Sequence, residues 1–258
     1  MHILLTNDDG VAAPGLLVLK QALAPLGKIT VVAPAHNQSA AGHRKTLHKP
    51  LRMEPSHLAD GTPAWACSGA PSDAVALSLL GFVSEKVDVV VSGINPHANI
   101  AQDVTYSGTV TAALEATLFG VPGVAISADE AHKPEDYAVA AQAAAQLVAQ
   151  VKQNGLPAGL VLSLNAPITP AKGWRLTRQG RRVYRDELVV RHDPRGKPYY
   201  WIGGDWPTGE LIDDTDYWAI KHGYLSVTPL HLDLTAHSAL ETLQTWNLGQ
   251  LPVGQVGP

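Results

Sequence analysis

Through the first two thirds of the chain, short β-branched and aliphatic runs alternate with longer helical patterns, and glycine or proline marks each change. His2 to Thr6, Ile29 to Ala33, Val87 to Ser92, Val124 to Ser127 and Leu160 to Leu164 are almost continuously apolar, which predicts parallel strands covered by helices on both faces. Between them, Leu16 to Ala24 predicts a helix closed by Pro25 and Gly27. Pro71 to Leu80 predicts one that opens on proline and stops at Gly81. Val110, Ala113, Leu114, Thr117 and Leu118 form one stripe of a helix over Thr109 to Phe119. Pro134 to Lys152 is Ala-rich, with Gln142, Gln146 and Gln150 as a narrow polar stripe. Past about Pro170 the pattern turns strand-like, with Arg182 to Arg191 and Pro198 to Ile202 around a turn, then Tyr224 to Leu234 and a closing helix over His237 to Trp246. The expected fold is α/β, a doubly wound, mostly parallel Rossmann-like sheet over residues 1–170. A β-rich hairpin appendage with the closing helix takes 171–248 and is expected to serve oligomerisation. The Gly- and Pro-rich tail, 249–258, is expected to be poorly ordered.

Composition narrows the function. In 258 residues, 45% are hydrophobic and 16% charged, which excludes disorder and a coiled coil. A net charge of -4 lacks the field of a nucleic-acid or anionic-membrane binder, so small ligands are favoured. The stretch Lys172 to Lys197 holds nine of the 19 Lys and Arg residues, but Asp205, Glu210, Asp213, Asp214 and Asp216 offset it. It reads as a solvated or intersubunit face. A lone cysteine, Cys67, and the absence of an export signal or membrane span point to a cytoplasmic protein.

Ligands of open parallel sheets bind beyond the carboxyl ends of the strands. There the chain reads Thr6-Asn7-Asp8-Asp9-Gly10, Pro34 to Ser39, and Ser92-Gly93-Ile94-Asn95. Asp8, Asp9, Ser39 and Asn95 all offer oxygen ligands. Adjacent carboxylates after a buried strand repel and lose hydration, a conflict that Mg²⁺ or Mn²⁺ relieves. Asp8-Asp9-Gly10 also reads as an ordinary turn, and convergence with the other loops is what favours the metal. Zinc is disfavoured because the 11 histidines are scattered. Ser107-Gly108-Thr109 opens a well-patterned helix, where free N–H groups attract an anion, although Ser107 also fits a plain N-cap. Metal loops beside an anion seat point to phosphate monoester hydrolysis.

Leu4 to Gly10 with Ala13-Pro14-Gly15, Ala33-Pro34 with Gln38-Ser39-Ala40-Ala41-Gly42 and Thr46, Gly69-Ala70-Pro71-Ser72-Asp73, Ser92 to Asn95 and Tyr106 to Val110 follow one another in order. With Pro198-Tyr199-Tyr200-Trp201 and Ser226-Val227-Thr228-Pro229-Leu230, the series resembles the SurE family of survival-protein nucleotidases to about residue 235. The resemblance implies a divalent-metal phosphatase acting on nucleoside monophosphates, a 5′/3′-nucleotidase. It implies one Mg²⁺ or Mn²⁺ per subunit on Asp8, Asp9, Ser39 and Asn95. Asn7, Ser107, Gly108 and Thr109 map near the phosphate, and Asp8, Asp9 and Asn7 to the reacting centre. His97 and Ala101 stand where the family's loop usually carries glycines, and Thr111 and Ala116 replace glycines in the next helix. If such a loop glycine has positive φ, its replacement costs about 1 kcal/mol. His43 reads as an exposed loop histidine. The rival readings are a metal-dependent deacetylase, which wants histidine ligands, and a non-catalytic nucleotide-binding stress protein. Tyr199, Tyr200, Trp201 and Ile202 put apolar side chains on both faces of one strand. The chain's own α/β domain is expected to cover one face and a second copy the other, giving a homodimer or homotetramer, as the resemblance also implies.

Overall fold

The computed structural model describes residues 1–246; the tail expected at 249–258 lies outside them. The strands are β1 (His2–Thr6), β2 (Lys28–Pro34), β3 (Met53–His57), β4 (Pro63–Cys67), β5 (Val89–Asn95), β6 (Gly123–Asp129), β7 (Leu160–Pro167), β8 (Trp174–Leu176), β9 (Arg182–His192), β10 (Pro198–Gly209) and β11 (Leu225–His231). The α-helices are α1 (Pro14–Leu23), α2 (Pro71–Leu77), α3 (Gly108–Leu118), α4 (Ala138–Asn154), α5 (Asp216–Lys221) and α6 (His237–Gln244). Nine strands form one sheet in the order β3-β4-β2-β1-β5-β6-β7-β11-β8. Only β3 with β4 and β11 with β7 pair antiparallel within it.

Alternation along the buried strands sorts side chains to the two faces. Ile3, Leu5, Val31, Val89, Val91 and Ile126 pack under α1 and α4, while Leu4, Val32 and Val90 pack under α2 and α3. Each such side chain, fully removed from water, contributes about 1.5–3 kcal/mol. This two-faced burial is why those strands read as unbroken apolar runs.

Several elements depart from the sequence pattern. β3 sets Pro55 among polar residues and β4 opens on Pro63, so neither signals a strand. Proline is tolerated there because β3 is an edge strand and Pro63 begins β4. The expected break near residue 170 does not end the sheet: β11 and the three-residue β8 join it, and α5 packs beside them. The separate part is the β9–β10 hairpin, a two-stranded sheet of its own. Its core domain covers neither face of the aromatic strand, contrary to expectation. Tyr199, Tyr200, Trp201 and Ile202 are all exposed, Ile202 at 84%.

Candidate active site

β2, β1 and β5 are neighbours and parallel, so their carboxyl ends deliver three loops to one place. Asp8 and Asp9 follow β1, Ser39 follows β2, and Asn95 ends β5. All four line one cleft of about 420 Å³, together with Tyr106, Ser107 and, from the hairpin, Arg182 and Trp206. A one-residue loop shift along any strand would turn its ligand atom away, so sheet register fixes the site.

Asp8 is buried, and burial raises its pKa against the pull of the Thr109 hydroxyl, which donates to Oδ1, and of nearby amides including those of Gly108 and Thr109. Asp9 is pushed up to about 7, chiefly by burial and then by the charge of Asp8. Two carboxylates that resist ionising together, beside a hydroxyl and an amide, make an all-oxygen donor set suited to a hard divalent cation. Asn95 donates through Nδ2 to His97 O at 2.6 Å, which leaves its side-chain carbonyl oxygen available to a cation. Ser39 is exposed, and its amide donates to Asn37 Oδ1 at 2.8 Å. Among the described residues no three His, Cys, Asp or Glu side chains gather to hold a metal. The donor set therefore differs from the histidine-rich one a deacetylase needs.

The residues expected at the phosphate also make local bonds. Asn7 is fully buried and closes the β1 turn, donating from Nδ2 to Gly10 O at 2.9 Å and accepting from Gly10 N at 3.1 Å. Ser107 caps α3, accepting from Val110 N at 3.1 Å, and also lines the cleft. Gly108 is glycine for contact: a Cβ there would lie 2.7 Å from Asp8 Cβ and 3.0 Å from its Oδ2. Thr109 gives its hydroxyl to Asp8.

Three buried carboxylates to which the sequence assigns no site role hold the loops. Glu115 on α3 accepts from Lys45 Nζ at 2.6 Å and bonds His43 Nε2 at 2.8 Å, so His43, exposed in its loop as expected, is also tethered. Burial opposes the Glu115 charge, yet these bonds hold its pKa below the usual range. Asp73 accepts from Thr46 N at 2.9 Å, Thr46 Oγ1 at 2.7 Å and Ala70 N at 2.9 Å. Asp216 accepts from Ala101 N, Gly180 N and Tyr217 N, each at 2.7 Å. Ala101 has φ +51°, a conformation that favours glycine; His97 does not. Thr46 and Asp73 stood inside sequence motifs, but no spacing joined them. Glu115 looked like any helical glutamate.

A family model described as Survival protein SurE matches residues 3–186. The chain belongs to the SurE family. It is 50% identical over 250 residues to the "5'-nucleotidase SurE" of Chloroflexus aggregans, covering 95% of this chain and 99% of that protein. The namesake of Herpetosiphon aurantiacus is 48% identical over 253 residues, covering 96% and 99%. The crystal structure of the SurE protein from Aquifex aeolicus superposes with a TM-score of 0.80 at 36% identity, over 95% of this chain and 98% of that one. The SurE match takes in β1, β2 and β5, which carry all four oxygen donors.

Proposed function

We propose that the protein is a divalent-metal-dependent phosphomonoesterase of the 5′-nucleotidase type, hydrolysing nucleoside monophosphates to nucleoside and phosphate. The observation that carries this is the convergence of Asp8, Asp9, Ser39 and Asn95 from three adjacent strand ends on one cleft. The names of the SurE relatives support it. Asp8, Asp9, Ser39 and Asn95 would hold one Mg²⁺ or Mn²⁺ per subunit. Such a cation, when bound, polarises a phosphoryl oxygen and acidifies a water. Thr109 fixes the Asp8 carboxylate by its hydroxyl donation. Asn7 braces the turn that presents Asp8 and Asp9. Ser107, at the start of α3, keeps a hydroxyl hydrogen for a phosphate oxygen while its oxygen caps the helix. The amides of Gly108 and Thr109 add the positive end of the helix beside it.

Phosphate release from a panel of nucleoside monophosphates tests this reading, with excess chelator and with added Mn²⁺ or Mg²⁺. Activity is expected to vanish in chelator and to return with either cation. Full turnover in chelator would defeat the metal role.

The hairpin's exposed Tyr200, Trp201 and Ile202 support a homodimer or homotetramer that buries them. Light scattering checks this, and a stable monomer at micromolar concentration contradicts it. The lone buried Cys67 fits a reducing cytoplasm. No helix of the described residues is long and apolar enough to cross a membrane.

A further inference from the structure

Trp206 interrupts the hairpin ladder. Asp205 of β10 faces Arg185 of β9 and Thr208 faces Val183, so Trp206 and Pro207 stand opposite Tyr184 alone. Such a bulge bends its strand and re-aims a side chain, and bulges collect beside ligand sites. This one is pinned. Arg182 Nη1 donates to Pro207 O at 3.2 Å, and Arg185 Nη1 donates to Thr208 Oγ1 at 3.1 Å. Arg182 also donates through Nε to Asp103 Oδ2 at 2.6 Å, and the Tyr184 hydroxyl donates to Asp103 Oδ1 at 2.7 Å. Asp103 sits in the 3-10 turn Ala101–Thr105, and its carbonyl accepts from Tyr106 N at 3.0 Å. One ion pair therefore joins the segment bearing Trp206 to the segment bearing Tyr106. Both aromatic side chains line the cleft that holds Asp8 and Asp9.

Trp206 is 87% exposed and Tyr106 61%. Among the described residues, Trp206 is the only aromatic side chain of the hairpin to line this cleft. Two aromatic faces left in water on a clamped backbone gain burial and stacking when a flat ligand covers them. The Arg182 guanidinium is already spent on Asp103, so the outer part of the cleft offers stacking in preference to a free cation.

We propose that Trp206 and Tyr106 form a nucleobase-stacking subsite, receiving the base of a nucleoside monophosphate whose phosphate lies at Asp8 and Asp9. This assignment rests on the nucleotidase reading. Every base has a π-face, so stacking discriminates weakly among bases and strongly against esters that have none. The subsite thus selects nucleotides over sugar phosphates while tolerating all bases.

The test compares adenosine 5′-monophosphate with ribose 5-phosphate, which shares the phosphoester and sugar but lacks the base. In Trp206→Ala the ratio of kcat/KM for the two esters is expected to fall roughly tenfold or more, mostly through KM for the nucleotide. Trp206→Phe should restore most of the ratio. A second readout is indole fluorescence: adenosine 5′-monophosphate should quench the wild-type protein, and Trp206→Phe should lose that part of the quench. Fluorescence keeps the proposal open to refutation even if Trp206→Ala fails to fold. An unchanged ratio in a folded Trp206→Ala protein, or a quench that persists in Trp206→Phe, would overturn the subsite. Wild-type protein that cleaves neither ester with Mn²⁺ present would instead defeat the nucleotidase reading, and the quench titration would still decide the subsite.

Discussion

Gly108→Ala isolates the contact between α3 and Asp8, the first carboxylate of the proposed metal site. The added methyl would lie 2.7 Å from Asp8 Cβ, 3.0 Å from Asp8 Oδ2 and 3.1 Å from Pro71 Cγ. Carbon atoms prefer about 3.5–4.0 Å, so Asp8 must retreat by nearly 1 Å or α3 must lift. Overpacking of this kind costs about 1–3 kcal/mol. Removing a glycine from a helix returns up to about 1 kcal/mol, so the net loss of stability is roughly 0–2 kcal/mol. In a chain of this length that lowers Tm by only a few degrees. Catalysis should suffer far more, because a group misplaced by about 1 Å costs on the order of a hundredfold in rate. The displaced Asp8 also loses alignment with Thr109, which weakens the metal along with the phosphate. If Gly108 merely left space for a phosphate, its replacement would spare metal affinity. The assay is phosphate release from a nucleoside monophosphate as a function of Mn²⁺ concentration, beside calorimetric Tm. The expected result is a turnover loss near a hundredfold, a raised half-saturating Mn²⁺ and a small change in Tm. Wild-type Mn²⁺ dependence in Gly108→Ala would refute the reasoning, whatever became of turnover.

Asp8→Asn and Asp9→Asn should each cut turnover by orders of magnitude with Tm held or raised in the metal-free protein, since each removes one of two adjacent carboxylates, one buried and one half-buried; a large fall in Tm in chelator would mark the residue as structural instead. Glu115→Gln should free the His43–Lys45 segment and raise the half-saturating metal concentration through Ser39, at a stability cost of about 1–2 kcal/mol, because both of its partners are partly exposed. The folded pKa of Glu115 is depressed, so its contribution is present above the unfolded value near 4.5 and is lost as pH falls through the folded value. Acid unfolding curves of wild type and Glu115→Gln should therefore converge below pH 4.5, and a constant gap down to pH 2 would contradict the linkage. Ala101→Gly releases positive-φ strain of about 1 kcal/mol but adds about 0.5–1 kcal/mol of chain entropy, so Tm should barely move. A drop of several degrees would show that the Ala101 methyl is packed to advantage.

What was legible in the sequence depended on whether burial or pairing made an element. β1 is legible to the residue because all five of its positions are buried and its centre, Ile3 to Leu5, is unbroken aliphatic. The helix at Gly108–Leu118 was nearly as clear, since its cap and its glycine stop are local events. β3, β4 and β8 were not visible, for they exist by pairing with strands already in place and carry exposed side chains and prolines. The same division runs through the site. That Asp8, Asp9, Ser39 and Asn95 share one cleft follows from their places at neighbouring strand ends of a parallel sheet, a rule that needs only order along the chain. Glu115, Asp73 and Asp216 act across 70, 27 and 115 residues, on Lys45, Thr46 and Ala101, and nothing in the local pattern marks a carboxylate as buried. Asp216 shows what this conceals. Its carboxylate binds the amide of Ala101, in the loop after β5, and that of Gly180, just before the hairpin. An alanine held at φ +51° survives where the backbone is over-determined, and Asp216 supplies that constraint. Tolerance of alanine in this loop is therefore a property of a distant aspartate, and no spacing rule along the chain could have joined the two.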